Sequence, residues 1–499
     1  MAFSKRKPSE AVRDPYRWME EDTPALRTWV LDQHEYTMAQ LSSLPAREGI
    51  RRRLEELLRR QAIGNITEAG NRYFFRQRFA DQELSALYCQ DAPADAPRQL
   101  LNSSDLSPDG TITLADTHPS QDGSLIAYRL SFSGSSCMSL HVMNVDSKEV
   151  LPDVIPGDVN PVAHAWHTTN RVAWLPDNSG FYYTRCSHAA PAGEARFHHK
   201  LYFHHLGDDW RDDAMVFGES LKREQTPYPH LSFDGRYLVV VVQDVSGAAP
   251  CSQLYLFDRA DPQHGFVPIV QGIEAFISST AIHRDWLYIQ TNHQAPLGKL
   301  TAIKLADITA GEFAATTVVP EGSYALGTWT TVTNYLFVET IEDVSSRLRV
   351  YDLAGNFVKQ IELPGAGSIH ALSAGSESED LLISFSSFLM PGAVYRMDLE
   401  TLEYKLHQQH EVPFDPEVFE MEQVWFESFD NTRIPMFLLH KKGIERDGRN
   451  AAVMHGYGGF GVSLLPVFTA HVIPFLERGG IYAIVNARGG GEFGEEWHR

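Results

Sequence analysis

The feature that most constrains this 499-residue chain is a recurrence of paired short strand runs at a nearly constant interval. The first run of each pair begins at residues 72, 124, 180, 236, 285, 334 and 380, as in Arg72-Tyr-Phe-Phe75, Gly180-Phe-Tyr-Tyr183 and Arg236-Tyr-Leu-Val-Val240. A second run follows each at 86, 140, 200, 253, 300, 348 and 393, as in Gln253-Leu-Tyr-Leu256 and Leu348-Arg-Val-Tyr351. Aromatic and β-branched residues in short runs, separated by turn residues, read as strands packed in sheets. A unit of roughly 50 residues is the length of a four-stranded propeller blade. Seven such units predict a seven-bladed β-propeller over residues 67–416. Two β-sandwiches would also give many short strands, but they need no fixed period.

The flanks follow other patterns. Thr23-Pro24 is a helix start signal, and Leu26, Trp29 and Val30 share a face that Leu41 continues. Ile50, Leu54, Leu57 and Leu58 mark a second helix, which Gly64-Asn65 ends. Residues 1–66 are therefore expected to form a helical segment. From residue 417 a hairpin turning at Asp430-Asn431 leads to a buried strand at 451–454. A helix is expected over 464–478, broken by Gly479-Gly480, and a second buried strand over 481–485. Hairpin, strand, helix, strand is how an α/β sheet begins.

Charge narrows the function. A net charge of −21 argues against nucleic acid as a partner, and the clusters Arg51–Arg53 and Arg59–Arg60 read as a solvated helix face. The first eight residues carry no apolar stretch behind them, and no window approaches 18 apolar residues, so neither secretion nor membrane spanning is expected. Cys89, Cys137, Cys186 and Cys251 are scattered, which fits a cytoplasmic protein. A monomer is expected.

Two glycine-rich loops carry the chemistry. His455-Gly-Tyr-Gly-Gly-Phe460 follows the strand at 451–454, and its three glycines allow close backbone approach. In an α/β-hydrolase, a loop at this place contributes to the oxyanion hole, and a Tyr hydroxyl can donate to developing negative charge. A tight turn with Tyr457 packed as core fits the same residues. Arg488-Gly-Gly-Gly-Glu-Phe-Gly494 follows the strand at 481–485 and lacks the Gly-Lys-Ser/Thr of a P-loop. His198, His199, His204 and His205 flank a strand, but adjacent strand residues point to opposite faces, so no metal site is expected.

Asp14-Pro-Tyr-Arg-Trp18, the seven repeats, Ile434-Pro-Met-Phe437, His440-Lys-Lys-Gly443, Gly456-Tyr-Gly-Gly-Phe460 and Asn486-Ala-Arg-Gly-Gly-Gly-Glu-Phe-Gly494 together resemble the prolyl oligopeptidase family. The resemblance runs the length of the chain. It implies a serine endopeptidase that cleaves short proline-containing peptides after proline, needs no cofactor, and uses its propeller to gate access. It makes residues 417–499 the start of an α/β-hydrolase domain, on which residues 1–66 would pack. It gives Tyr457 the role of oxyanion donor, Phe460 a wall of the proline pocket, and Phe181 a reach toward substrate from the propeller. The family's nucleophile sits in a Gly-x-Ser-x-Gly elbow, and no such motif occurs in these residues. The expectation is a chain truncated before the catalytic Ser, without its Ser-Asp-His triad and inactive alone. The alternative is a propeller that binds a partner without catalysis.

Overall fold

The computed structural model describes residues 14–499 apart from 94, 108, 135–136, 160–171, 188, 192–193, 195–196, 245–250, 312 and 376–377. The reading of the first eight residues lies outside the described residues. The chain divides into two compact units, 1–56 and 57–499.

The first unit is helical. Helix α1 (Pro24–Ser42) starts where Leu26 N donates to the Thr23 hydroxyl at 3.2 Å, which satisfies one of the free N–H groups of its first turn. No residue of α1 is buried within this unit. Helix α2 (Arg47–Leu58) crosses into the second unit. Leu57 is fully buried among Phe419, Phe437 and Leu476, and Ala62–Ile63 pairs with Arg78 and Gln77 in a sheet.

The second unit contains seven consecutive antiparallel sheets: sheet 1 over 62–102, sheet 2 over 112–159, sheet 3 over 172–217, sheet 4 over 225–270, sheet 5 over 277–319, sheet 6 over 325–361 and sheet 7 over 368–409. All fourteen strand runs read from the sequence form the second and third strands of these sheets. Period-two alternation explains the stacking. Leu238, Val240 and Val242 of sheet 4 pack toward sheet 3, while Tyr237, Val239 and Val241 pack toward sheet 5. Each sheet shares such a core with the next, and Ile63, Ile66 and Phe75 of sheet 1 pack against Leu382 and Val394 of sheet 7. Polar contacts reinforce this last seam. Ile63 N donates to His410 Nε2 at 2.8 Å, and Gly375 N donates to Glu68 at 3.1 Å.

An eighth, mixed sheet follows. Its strand order is 419–427, 433–441, 481–485, 452–456, with the last two parallel. The helix expected over 464–478 is reduced to a 3-10 turn, Ala470–Val472, and a short α-helix, Ile473–Glu477. Pro466 and Pro474 account for this. Each lacks an amide hydrogen, so neither can continue a helical ladder from the preceding turn, and Pro474 is tolerated only in the first turn of Ile473–Glu477. The stretch 464–469 therefore runs without regular structure, with Leu464, Leu465 and Phe468 packed on the core. The Ser368 hydroxyl of sheet 7 donates to Pro466 O at 2.7 Å, tying this segment to the seven sheets.

Candidate active site

Parallel strands 452–456 and 481–485 end side by side, with Gly456 opposite Val485. Each opens into one of the two glycine-rich loops, and the loops interlock. Gly461 N donates to Gly489 O at 2.9 Å. A Cβ on Gly489 would overlap the carbonyl of Gly458, and one on Gly491 would overlap that of Gly461. The two motifs are thus one structural element, in which glycine is required because backbone packs on backbone.

This interlock turns two aromatic side chains outward. Tyr457 is 55% exposed and Phe460 is 64% exposed, with ring centroids 6.4 Å apart. Phe460 adopts φ of +57°, an unusual backbone state for a bulky residue, held here by the glycines on either side. Tyr457 is therefore not the packed core residue that a simple turn would make of it. Its hydroxyl stands where a ligand can meet it.

The second loop is braced from below. Arg488 pairs with Asp430 at the hairpin turn, and its Nη2 donates to the Ser428 hydroxyl at 3.2 Å. The Arg488 guanidinium holds the Asp430 carboxyl down to about 2. At its far end Glu495 N donates to Pro296 O of sheet 5 at 2.9 Å. A cavity of about 180 Å³ opens there, lined by Phe460, Phe276, Gln290, Leu326 and His498. A larger cavity of about 1130 Å³ lies at the opposite ends of the propeller-type strands, lined by Glu68, Tyr73, His118, Trp174 and Arg396.

Phe181 does not join this site. It is fully buried, with its ring 4.9 Å from Trp174 and 5.3 Å from His204, inside the core between sheets 2 and 3. Strand alternation turns Phe181 toward sheet 2 and Tyr182 toward sheet 4, so the motif match at this position reflects sheet packing. The histidines around it also diverge. His204 is fully buried between Asp213 (2.8 Å) and Asp153 (3.1 Å), while His205 is exposed. Burial opposes charge on His204, but the two carboxylates outweigh it and hold its pKa above the usual histidine value. Sequence reasoning missed another grouping, Glu420, Glu422 and His440. Arg446 pairs with Glu422 and donates to His440 Nε2 at 2.9 Å, so a cation of the chain already fills it.

The seven sheets agree with a direct comparison. A model of the prolyl oligopeptidase N-terminal β-propeller domain matches residues 2–410. The chain belongs to the prolyl oligopeptidase family. The prolyl endopeptidase of Elizabethkingia meningoseptica is 30% identical to it over 490 residues, covering 98% of this chain and 67% of that protein. The dual-function macrocyclase-peptidase of Galerina marginata is 27% identical, covering 98% of this chain and 70% of that protein. A solved structure from a study of two prolyl endopeptidases aligns with a TM-score of 0.89 at 30% identity, covering 97% of this chain and 70% of that one. This prolyl oligopeptidase family chain thus spans about two thirds of the length of these relatives.

Proposed function

We propose that this chain serves a serine endopeptidase that cleaves short peptides after proline, with a seven-bladed propeller over residues 67–416 gating access and residues 417–499 beginning an α/β-hydrolase domain. The observation that carries the reading is the interlocked loop pair at the ends of two parallel strands, which leaves Tyr457 and Phe460 outward. Ligands of α/β folds bind beyond the carboxyl ends of the strands, where these loops lie. In this reading the Tyr457 hydroxyl donates to the oxyanion formed as the scissile carbonyl is attacked. The Phe460 ring offers an apolar face to the proline ring. Strand 452–456 ends the sheet order among the described residues, so its free edge can accept a further parallel strand. Residues 1–499 contain no Gly-x-Ser-x-Gly, so in this reading they supply an oxyanion donor and a pocket wall without a nucleophile of that pattern.

Reading the gene beyond codon 499 tests this directly. An in-frame Gly-x-Ser-x-Gly elbow supports the peptidase reading, whereas a stop codon supports a propeller that binds a partner without catalysis. The 499-residue chain itself is expected not to hydrolyse a fluorogenic Gly-Pro amide, and turnover that follows the chain through purification would contradict this. In an enzyme that carries the elbow, Tyr457→Phe is expected to lower kcat about 10²–10³-fold, the usual cost of one oxyanion donor. Unchanged turnover would reduce Tyr457 to a surface residue.

A further inference from the structure

The loop bearing Tyr457 is held at two points. Near the tyrosine it bonds to Gly489 through backbone alone. At its far end it bonds to a side chain, Glu492, which is 1% exposed although it lies in a loop. Glu492 Oε1 accepts from Leu464 N at 2.8 Å and from Asn486 Nδ2 at 3.0 Å. Asn486 is fully buried, and its Nδ2 also donates to Leu464 O at 2.8 Å, while its backbone N donates to Pro435 O at 3.1 Å. The carboxylate and the amide thus close a three-way knot of Leu464, Asn486 and Glu492, anchored to the hairpin strand 433–441. Gly490 completes it, since a Cβ there would overlap Glu492 Oε2. Glu492 has no ion-pair partner among the described residues, and its Oε2 is buried without a hydrogen-bond donor there. Burying a carboxyl group on neutral donors alone is costly. Such a group is best explained by what it holds in place.

We propose that Glu492 is a positioning residue for the oxyanion site. It fixes the path of residues 457–464 relative to the loop at 486–494, and so the placement of the Tyr457 hydroxyl. The inference rests on the proposed role of Tyr457, but its test needs no catalysis. Binding energy realised in a transition state depends on donors held in advance, so a slack loop lowers rate without removing the donor.

The test uses the 499-residue chain labelled with fluorotyrosine, with the Tyr457 fluorine signal assigned through Tyr457→Phe. Glu492→Ala is expected to shift or broaden that signal and to speed amide exchange over residues 461–466 at least about tenfold, leaving the strands of sheets 1–7 unchanged. Glu492→Gln keeps the accepting oxygen and is expected to restore both readouts. Native-like signal and exchange in Glu492→Ala would overturn the proposal. So would a Gln variant as disturbed as the Ala variant, because charge rather than the hydrogen bond would then be responsible. If Glu492→Ala does not fold, the Gln variant decides alone, with native readouts in support and disturbed readouts against. Failure of Tyr457→Phe to slow an elbow-bearing enzyme would sink the oxyanion role while leaving these measurements standing.

Discussion

Two apolar strands of this molecule have opposite fates. In Tyr237–Asp244 of sheet 4 all eight residues are buried, and the four consecutive valines from 239 to 242 are inaccessible to solvent. In Ala452–Gly456 of the eighth sheet all five residues are exposed, including Val453 at 44% and Met454 at 70%. Composition does not separate them; neighbours do. The sheet 4 strand has a strand on each side and a sheet on each face. Strand 452–456 pairs only with 481–485 and has no sheet packed on it among the described residues. The first region has closed its packing, whereas the second leads into the Tyr457 loop from an open edge.

Charge insertion should separate the two most sharply. Val241→Asp places an unpaired carboxylate between sheets 4 and 5 and is expected to cost about 4 kcal/mol or more in denaturant titration. Met454→Asp is expected to stay within about 0.5 kcal/mol, as for most surface changes. Similar losses at both sites would mean that strand 452–456 is covered in solution.

Glu339 sharpens the comparison from the buried side. It lies at the interface of sheets 6 and 7, where Thr328 N donates to it at 2.8 Å and the Ser346 hydroxyl donates to its other oxygen. Burial pushes its carboxyl from 4.5 up to about 7. Because the folded chain holds this proton more tightly than the unfolded one, the stability contribution is full below about pH 4.5 and is lost as pH rises toward 7. The loss is on the order of 3 kcal/mol at most. Glu339→Gln is expected to flatten this decline in stability measured from pH 4 to 8. An unchanged slope would show that Glu339 keeps an ordinary pKa.

Gly489→Ala tests the interlocked loops. The added methyl meets the Gly458 carbonyl at a φ of +95°, which favours glycine. A loss of about 1–3 kcal/mol is expected, with faster amide exchange confined to residues 456–464 and 486–494. No change in either would mean that the loops do not pack on each other.

How much of this was legible in the sequence depended on where each signal came from. Second strands such as Tyr237–Asp244 stood out because both faces are buried, which makes their runs nearly continuously apolar, whereas third strands such as Cys251–Asp258 stood out through alternation of buried and half-buried residues. The outer strand Phe357–Ile361 did not, because Phe357, Val358 and Lys359 are exposed and carry no strong pattern. The helix expected over 464–478 followed apolar spacing and overlooked Pro466 and Pro474. The glycines announced close approach but not its partner, since Gly458 and Gly489 lie in different motifs. Phe181 showed the reverse error, where a local motif match stood in for a tertiary position. Tyr457 and Phe460 are named by the motif alone, and their outward placement comes only with the fold.

Amide hydrogen exchange on the 499-residue chain tests the central contrast most directly, read at 237–244 and 452–456 in the same sample. In a parallel edge strand alternate amides face the open side, so about half of those at 452–456 are expected to exchange within the first minutes. The amides of 237–244 pair with strands 225–231 and 251–258 and are expected to open only with global unfolding. Protection at 452–456 as strong as at 237–244 would contradict an open edge, and with it the proposed docking place for a further strand beside Tyr457.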